Sequence, residues 1–324
     1  MAKFGKEFKR PALDQFKLRG LIAATFTPFK ADGAVDLARI KPVIDKVIAQ
    51  GATGLYVCGS TGEGPLLSTR ERLAVAEATV KAAAGRVPVI IQVGHNSIEE
   101  ARGFAAHAQE IGADAISATP PGYFKPQSLE TFVECIAHVA NGAPKLPFYY
   151  YHIPVLSGVR FDMVDFLDLG RRRIASLRGI KFSDQALYEM QACIAFDAGR
   201  FDILFGVDEM LLGGLVFGAQ GAVGSTFNFA APLYNAVIRE FQAGNLPEAS
   251  RLQAVASQMI RTIISHGGRD GLKATMALID ADCGVSRLPT AAATVKQRAA
   301  IKTDLKRQGL FTGGKVFASR PKAA

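Results

Sequence analysis

A lysine stands inside an apolar, β-rich run of this chain, Lys181 in the segment GIKFS, and it is the residue best placed for covalent chemistry. An apolar strand rarely carries a charged amine into a packed interior. Burial disfavours the ammonium and moves its pKa down from about 10.4. A neutral amine so produced is a nucleophile towards a carbonyl and forms a Schiff base. The spacing alone fits two other readings equally: a lysine that snorkels outward, or one paired with Asp208 or Glu209.

Tyr151 closes the preceding β-rich run, PFYYYHIP, and its phenol could move a proton near such an amine. Strand alternation puts Tyr149 and Tyr151 on one face and Tyr150 on the other, and pattern alone also fits an aromatic core residue. The segment GSTGEG, opening at Gly59, offers backbone N–H groups and the hydroxyls of Ser60 and Thr61 to a carboxylate. Pattern alone more commonly marks a tight turn whose glycines serve positive φ. The five histidines show no ligand spacing, so no metal is expected.

These residues need a frame that gathers strand ends. Eight short apolar runs, opening at Leu21, Gly54, Pro88, Ala115, Pro147, Leu177, Phe201 and Gly221, alternate with segments of helical period. The helical segments open at capping types such as Asp36, Ser68 and Ser97 and close at glycines. Eight βα units fit a closed (β/α)8 TIM barrel or an open doubly wound sheet. No run leads into a GxGxxG turn, and the one GxxxxGK match, Gly309 to Lys315, sits in a basic tail, which favours the barrel. In a barrel, catalytic groups collect at the C-terminal strand ends. Polar residues stand there: Ser60 and Thr61, Tyr123, Tyr151 and His152, Lys181 and Ser183, Asp208 and Glu209, Ser225 and Thr226.

The predicted organisation is a basic N-terminal segment over 1–17, a barrel over 18–232, a C-terminal helical extension over 233–312, and a basic tail over 313–324. The net charge of +9 is concentrated at the ends: residues 1–20 and 296–324 contribute +4 and +7, leaving the body near −2. That distribution reads as solvated tails on a body with no phosphate-tracking surface, so no nucleic-acid partner is expected. Four scattered cysteines without a CxxC pair fit free thiols in a reducing compartment. With no signal-like start and no apolar run of membrane-spanning length, the reading is cytoplasmic, with no membrane partner.

GSTGE, YHIP and GIKFS, in this order and spacing, resemble the dihydrodipicolinate synthase and N-acetylneuraminate lyase family over roughly residues 18–310. The resemblance implies a class I aldolase with Lys181 as the Schiff-base lysine and Tyr151 as the proton-transfer tyrosine. It makes Ser60 and Thr61 the clamp for the carboxylate of a small 2-oxo acid substrate. It implies no cofactor beyond the covalent lysine adduct, and a homotetramer. Tyr123 resembles the tyrosine that the family brings from the loop after the fourth strand, with Gly122 where a second aromatic is common.

Synthase-type members place an arginine after the YNxP motif, whereas this chain has Leu156 in YHIPVLSGV. The GVDE and GSTFN segments resemble instead the lyase branch, where they contact a sugar polyol. That carries Gly206, Asp208, Glu209 and Ser225 over as substrate contacts, with Ser183 as a further hydroxyl. The implied reaction is cleavage of N-acetylneuraminate to N-acetylmannosamine and pyruvate. Competing expectations are an aldolase or dehydratase of a 2-keto-3-deoxy sugar acid and, from another class, a ligand-binding barrel without catalysis.

Overall fold

A computed structural model of the chain describes residues 8–312 and 315–317. The eight apolar runs form parallel strands β1 (Gly20–Ala24), β2 (Gly54–Val57), β3 (Val89–Gln92), β4 (Ala115–Ala118), β5 (Phe148–His152), β6 (Leu177–Phe182), β7 (Asp202–Phe205) and β8 (Gly221–Gly224). They pair in sequence order and β1 closes on β8, with Gly20 opposite Gly221 and Ala23 opposite Gly224, so the sheet is a barrel. Strands covered on both sides must be apolar nearly throughout, and these are buried almost without interruption.

The connecting helices are α1 (Leu37–Ala49), α2 (Thr69–Ala83), α3 (Ile98–Glu110), α4 (Leu129–Ala140), the short α5 (Pro154–Ser157), α6 (Met163–Arg173), α7 (Leu187–Ala195) and α8 (Leu211–Val216). Their starts are local chemistry. Ser68 accepts from the Glu71 amide while the Glu71 carboxylate accepts from the Ser68 amide, a reciprocal cap on α2 of about 1 kcal/mol. Ser97 caps α3 through the Glu100 amide, whereas Asp36 makes no side-chain cap bond on α1.

After β8 the chain is helical: α9 (Phe227–Gln242), α10 (Leu246–Thr275) and α11 (Val295–Arg307) pack side by side. A short hairpin follows, β9 (Leu310–Thr312) with β10 (Lys315–Phe317), and its Leu310 and Val316 are buried.

Side-chain alternation sorts the core in two. Ile22, Tyr56, Ile90, Tyr149, Tyr151, Leu204 and Val223 fill the barrel interior, while Tyr150 packs outward on Phe132 and Phe166. The N-terminal end of the barrel is plugged by Phe16 and Leu18, both buried. Asp202 at that end accepts from the Leu18 amide at 2.7 Å and from the Tyr149 hydroxyl at 2.8 Å.

Where the two basic ends are described, charges such as Lys9, Arg10, Lys17, Lys306 and Arg307 are exposed, as the solvated reading expects, but the segments that carry them pack on the barrel. Residues 8–17 close the barrel floor: Lys17 donates to the Gly199 carbonyl at 2.9 Å and Arg178 to that of Leu13. Composition reported the charges of this stretch and hid the apolar anchors between them. Residues 1–7, 313–314 and 318–324, which include part of the basic segment, part of the basic tail and Gly313 and Gly314 of the GxxxxGK match, lie outside the described residues.

Candidate active site

Lys181 points into the barrel. Its Cα partners are Tyr151 on β5 and Leu204 on β7, both interior residues, and it is 4% exposed. Its Nζ stands 3.8 Å from the ring centre of Tyr56 and 3.8 Å from that of Tyr151, two rings set edge to face 5.6 Å apart. Burial holds the amine below its ordinary pKa, against the opposing pull of Tyr151 and Asp208. That is the condition under which an amine serves as nucleophile.

The amine opens into a cavity of about 160 Å³ at the C-terminal end of the barrel. Ser60, Thr61, Tyr151, Lys181, Ser183, Gly206, Asp208 and Ser225 all line it, so residues from five different strand ends meet in one place. No outward lysine and no structural ion pair accounts for this placement: Lys181 makes no salt bridge among the described residues.

The Ser60–Thr61 loop is shaped by close approach. Its left-handed residues are Cys58 (φ 59°) and Glu63 (φ 56°), not its glycines. A Cβ on Gly64 would lie 1.8 Å from the Cys58 carbonyl oxygen, so that glycine permits the fold-back. Left-handed backbone at non-glycine residues costs roughly 1–3 kcal/mol each and persists where the surroundings enforce it. Glu63 is enforced by two bonds: its carboxylate accepts from Lys273 Nζ and from the Arg287 amide, both at 2.8 Å. Lys273 and Arg287 bracket the Phe29 ring at 3.9 and 4.4 Å. The C-terminal extension thus holds the loop from behind, while in front Thr61 Oγ1 meets Ser225 Oγ at 2.6 Å.

Asp208 is buried, and its Oδ2 accepts from the amide and the hydroxyl of Thr226 at 2.8 and 2.7 Å. Burial nevertheless pushes its carboxyl up to about 6. Gly224 leaves the room, since a Cβ there would stand 2.3 Å from Asp208 Oδ1. Ser183 Oγ is buried and has no partner, which leaves it free for a ligand. Gly206 faces it so closely that a Cβ would come within 2.0 Å of that hydroxyl.

Two residues named from the sequence are not brought to this cavity. Glu209 is exposed on the turn after β7, and its carbonyl accepts from Gln253 and Ser257 of α10. Tyr123 is 79% exposed beside Phe124, its amide donating to Asn96 Oδ1 at 3.1 Å. His152 turns outward from the barrel, buried against Phe182, with its pKa lowered to about 4 by burial.

Sequence reasoning missed Tyr56 and Arg269, and it named Leu156 only as the absence of an arginine, not as a wall of the cavity. Tyr56 was within reach, because alternation in GLYVCG sets it opposite Leu55 and Val57 and so on the interior face. Arg269 carried no signal, lying deep in the extension on α10, yet it lines the same cavity as Lys181. Among the described residues no cluster of three or more His, Cys, Asp or Glu is placed to hold a metal, and no helix is long and apolar enough to cross a membrane.

Residues 17–308 match the dihydrodipicolinate synthetase family. The chain is 41% identical to N-acetylneuraminate lyase A of Xenopus laevis over 84% of its own length and 90% of that protein's. It is 37% identical to N-acetylneuraminate lyase of Mus musculus over 97% and 99% of the two chains. Among solved structures, the N-acetylneuraminate lyase of Proteus mirabilis superposes with a TM-score of 0.88 at 40% identity, covering 90% of this chain and 99% of that one.

Proposed function

The chain belongs to the dihydrodipicolinate synthetase family, and we propose that within it this protein is a Schiff-base aldolase that cleaves N-acetylneuraminate to N-acetylmannosamine and pyruvate. The observation that carries the reading is the buried Lys181 amine, held between the Tyr56 and Tyr151 rings beside the Ser60–Thr61 loop.

In the proposed reaction the neutral amine of Lys181 attacks C2 of the open-chain keto acid, and loss of water gives an iminium. The substrate carboxylate rests on the N–H groups and hydroxyls of Ser60 and Thr61. Tyr151, helped by that carboxylate, takes the proton of the C4 hydroxyl as the C3–C4 bond breaks and its electrons enter the iminium. N-Acetylmannosamine leaves; the remaining enamine is protonated at C3 and water releases pyruvate from the lysine. Ser183, Gly206, Asp208 and Ser225 line the cavity where the polyol would lie. Glu209, exposed as it is, reaches the substrate only at its outer end.

Leu156 in the wall supports this reading over a synthase, since it stands where the synthase branch places the arginine that grips a second carboxylate. The chosen test is a panel of keto acids. Pyruvate release from N-acetylneuraminate supports the assignment; release only from a shorter 2-keto-3-deoxy sugar acid overturns it.

The proposed assembly is a homotetramer, supported by large apolar residues left exposed beside the barrel mouth, Tyr123, Phe124 and Val155. Tyr123 can serve a site only through such an assembly, because it lies outside the cavity of its own chain. Sedimentation velocity decides it, a monomer contradicting the proposal. Four free cysteines, three of them buried, support a cytoplasmic setting, and no nucleic-acid or membrane partner is proposed.

A further inference from the structure

We propose that Arg269 and the cavity around it form the subsite for the acylamino group of the substrate, with the guanidinium donating to the amide carbonyl oxygen. The inference rests on the aldolase reading above and assigns a residue that no motif of the sequence marks.

Helix α10 runs from Leu246 to Thr275 but breaks at Gly268, whose φ of 54° and ψ of −144° lie where only glycine is at ease. No atom lies within 4 Å of a Cβ built there, so backbone shape alone calls for the glycine. Directly after the break comes Arg269, and directly after that Asp270, which is fully buried. The Asp270 carboxylate accepts from the amides of Ser286 and Ala293, both at 2.7 Å, and from Arg298 at 3.0 Å. Arg269 therefore stands on a fixed base at the barrel mouth.

Its head is uncommitted. Lys273, one turn along the same helix, is taken up by Glu63 at 2.8 Å. The Arg269 guanidinium has no hydrogen bond, ion pair or ring contact among the described residues. It lines the cavity of Lys181, Ser60 and Thr61, and also an adjoining cavity of about 240 Å³ walled by Phe26, Leu272 and Pro289.

The chemistry of the group selects what it reads. A guanidinium carries five N–H donors and no acceptor, and stays charged at any working pH. The carboxylate of the keto acid already has the Ser60–Thr61 loop. Hydroxyls of the polyol both donate and accept, and they suit Asp208 and Ser183 of the same cavity. The uncharged group on the sugar half that only accepts at oxygen is the amide carbonyl. The apolar walls beside Arg269 then receive the acyl methyl, which water would otherwise surround.

The test runs the condensation with pyruvate and either N-acetylmannosamine or mannose, which bears a hydroxyl where the other bears the acylamino group. In Arg269→Met the KM for N-acetylmannosamine is expected to rise about 10- to 100-fold, the KM for mannose to change less than about three-fold, and the wild-type preference between the sugars to be lost. Borohydride trapping of pyruvate stays at the wild-type level. Arg269→Lys, which keeps the charge and a donor group but loses the planar fork, recovers part of the preference. Reduced trapping would assign the guanidinium to the carboxylate, an equal loss for both sugars would assign it to the polyol, and no change would leave it out of the site; each overturns the proposal. A wild-type protein inert towards both sugars would instead sink the aldolase reading.

Discussion

Lys181 and Tyr151 are Cα partners on adjacent parallel strands, and the lysine amine lies 3.8 Å from the centre of the tyrosine ring. Register places the amine under the phenol's ring, and both residues are buried at the base of the cavity. The same amine is faced by Tyr56 at the same distance, so the nucleophile sits in an aromatic cleft that keeps its position without neutralising it through a carboxylate.

Removing only the phenol oxygen of Tyr151 separates proton transfer from imine formation. Tyr151→Phe is expected to lower kcat by about 10²- to 10⁴-fold while pyruvate is still trapped on the protein. Tyr56→Phe, which keeps the ring over Lys181 and loses a 3.0 Å bond to Ser117, is expected to cost less than about ten-fold. Steady-state kinetics beside trapping yields distinguish them; equal losses in the two variants would deny Tyr151 a special part.

Asp208 gives a prediction in pH. Its carboxyl moves from an ordinary 3.8 to about 6 on folding, so between those values the folded state holds a proton that the unfolded state has lost. Stability is therefore greatest below pH 3.8 as far as this group is concerned and declines as pH rises through about 6. Asp208→Asn keeps an acceptor for Thr226 and removes the titration. It is expected to stabilise the protein by roughly 2–3 kcal/mol at pH 8 and to lose that advantage by pH 4. Urea unfolding across pH measures this, and a pH-independent difference would contradict it.

The Glu63–Lys273 pair joins the carboxylate loop to the extension, with both side chains buried. Lys273→Met leaves a carboxylate buried without its cation and is expected to cost about 3–5 kcal/mol in urea unfolding. The double variant Glu63→Gln with Lys273→Met is expected to recover part of that loss. Additive losses would mean that the two side chains do not act as a pair.

Close approach also predicts where glycine cannot be replaced. Gly206→Ala drives a methyl into Ser183 Oγ at 2.0 Å, displacing a hydroxyl of the cavity wall. The expected outcome is a raised KM for the sugar acid with pyruvate trapping intact. An unchanged KM would show that this wall does not meet substrate.

What the sequence made legible was periodic. All eight strands, the inward Tyr149 and Tyr151, the outward Tyr150, and the caps at Ser68 and Ser97 followed from spacing and residue type. What stayed hidden was contact between distant segments. Phe16 in the barrel floor, Lys273 behind Glu63 and Arg269 over the mouth are brought to the barrel by long-range packing that no local pattern encodes. The glycines of GSTGEG illustrate a subtler gap, since close approach to the Cys58 carbonyl, and not positive φ, is what Gly64 serves. Tyr123 and Glu209 were named from their places after strand ends and from the resemblance, and within one chain the fold leaves both outside the cavity.

Borohydride reduction in the presence of pyruvate, followed by peptide mapping by mass spectrometry, asks whether Lys181 is the amine that bonds the keto acid. A single reduced pyruvate adduct on Lys181 is expected, absent from Lys181→Ala, which also loses turnover. An unmodified protein, or an adduct carried by another lysine such as Lys273, would contradict it.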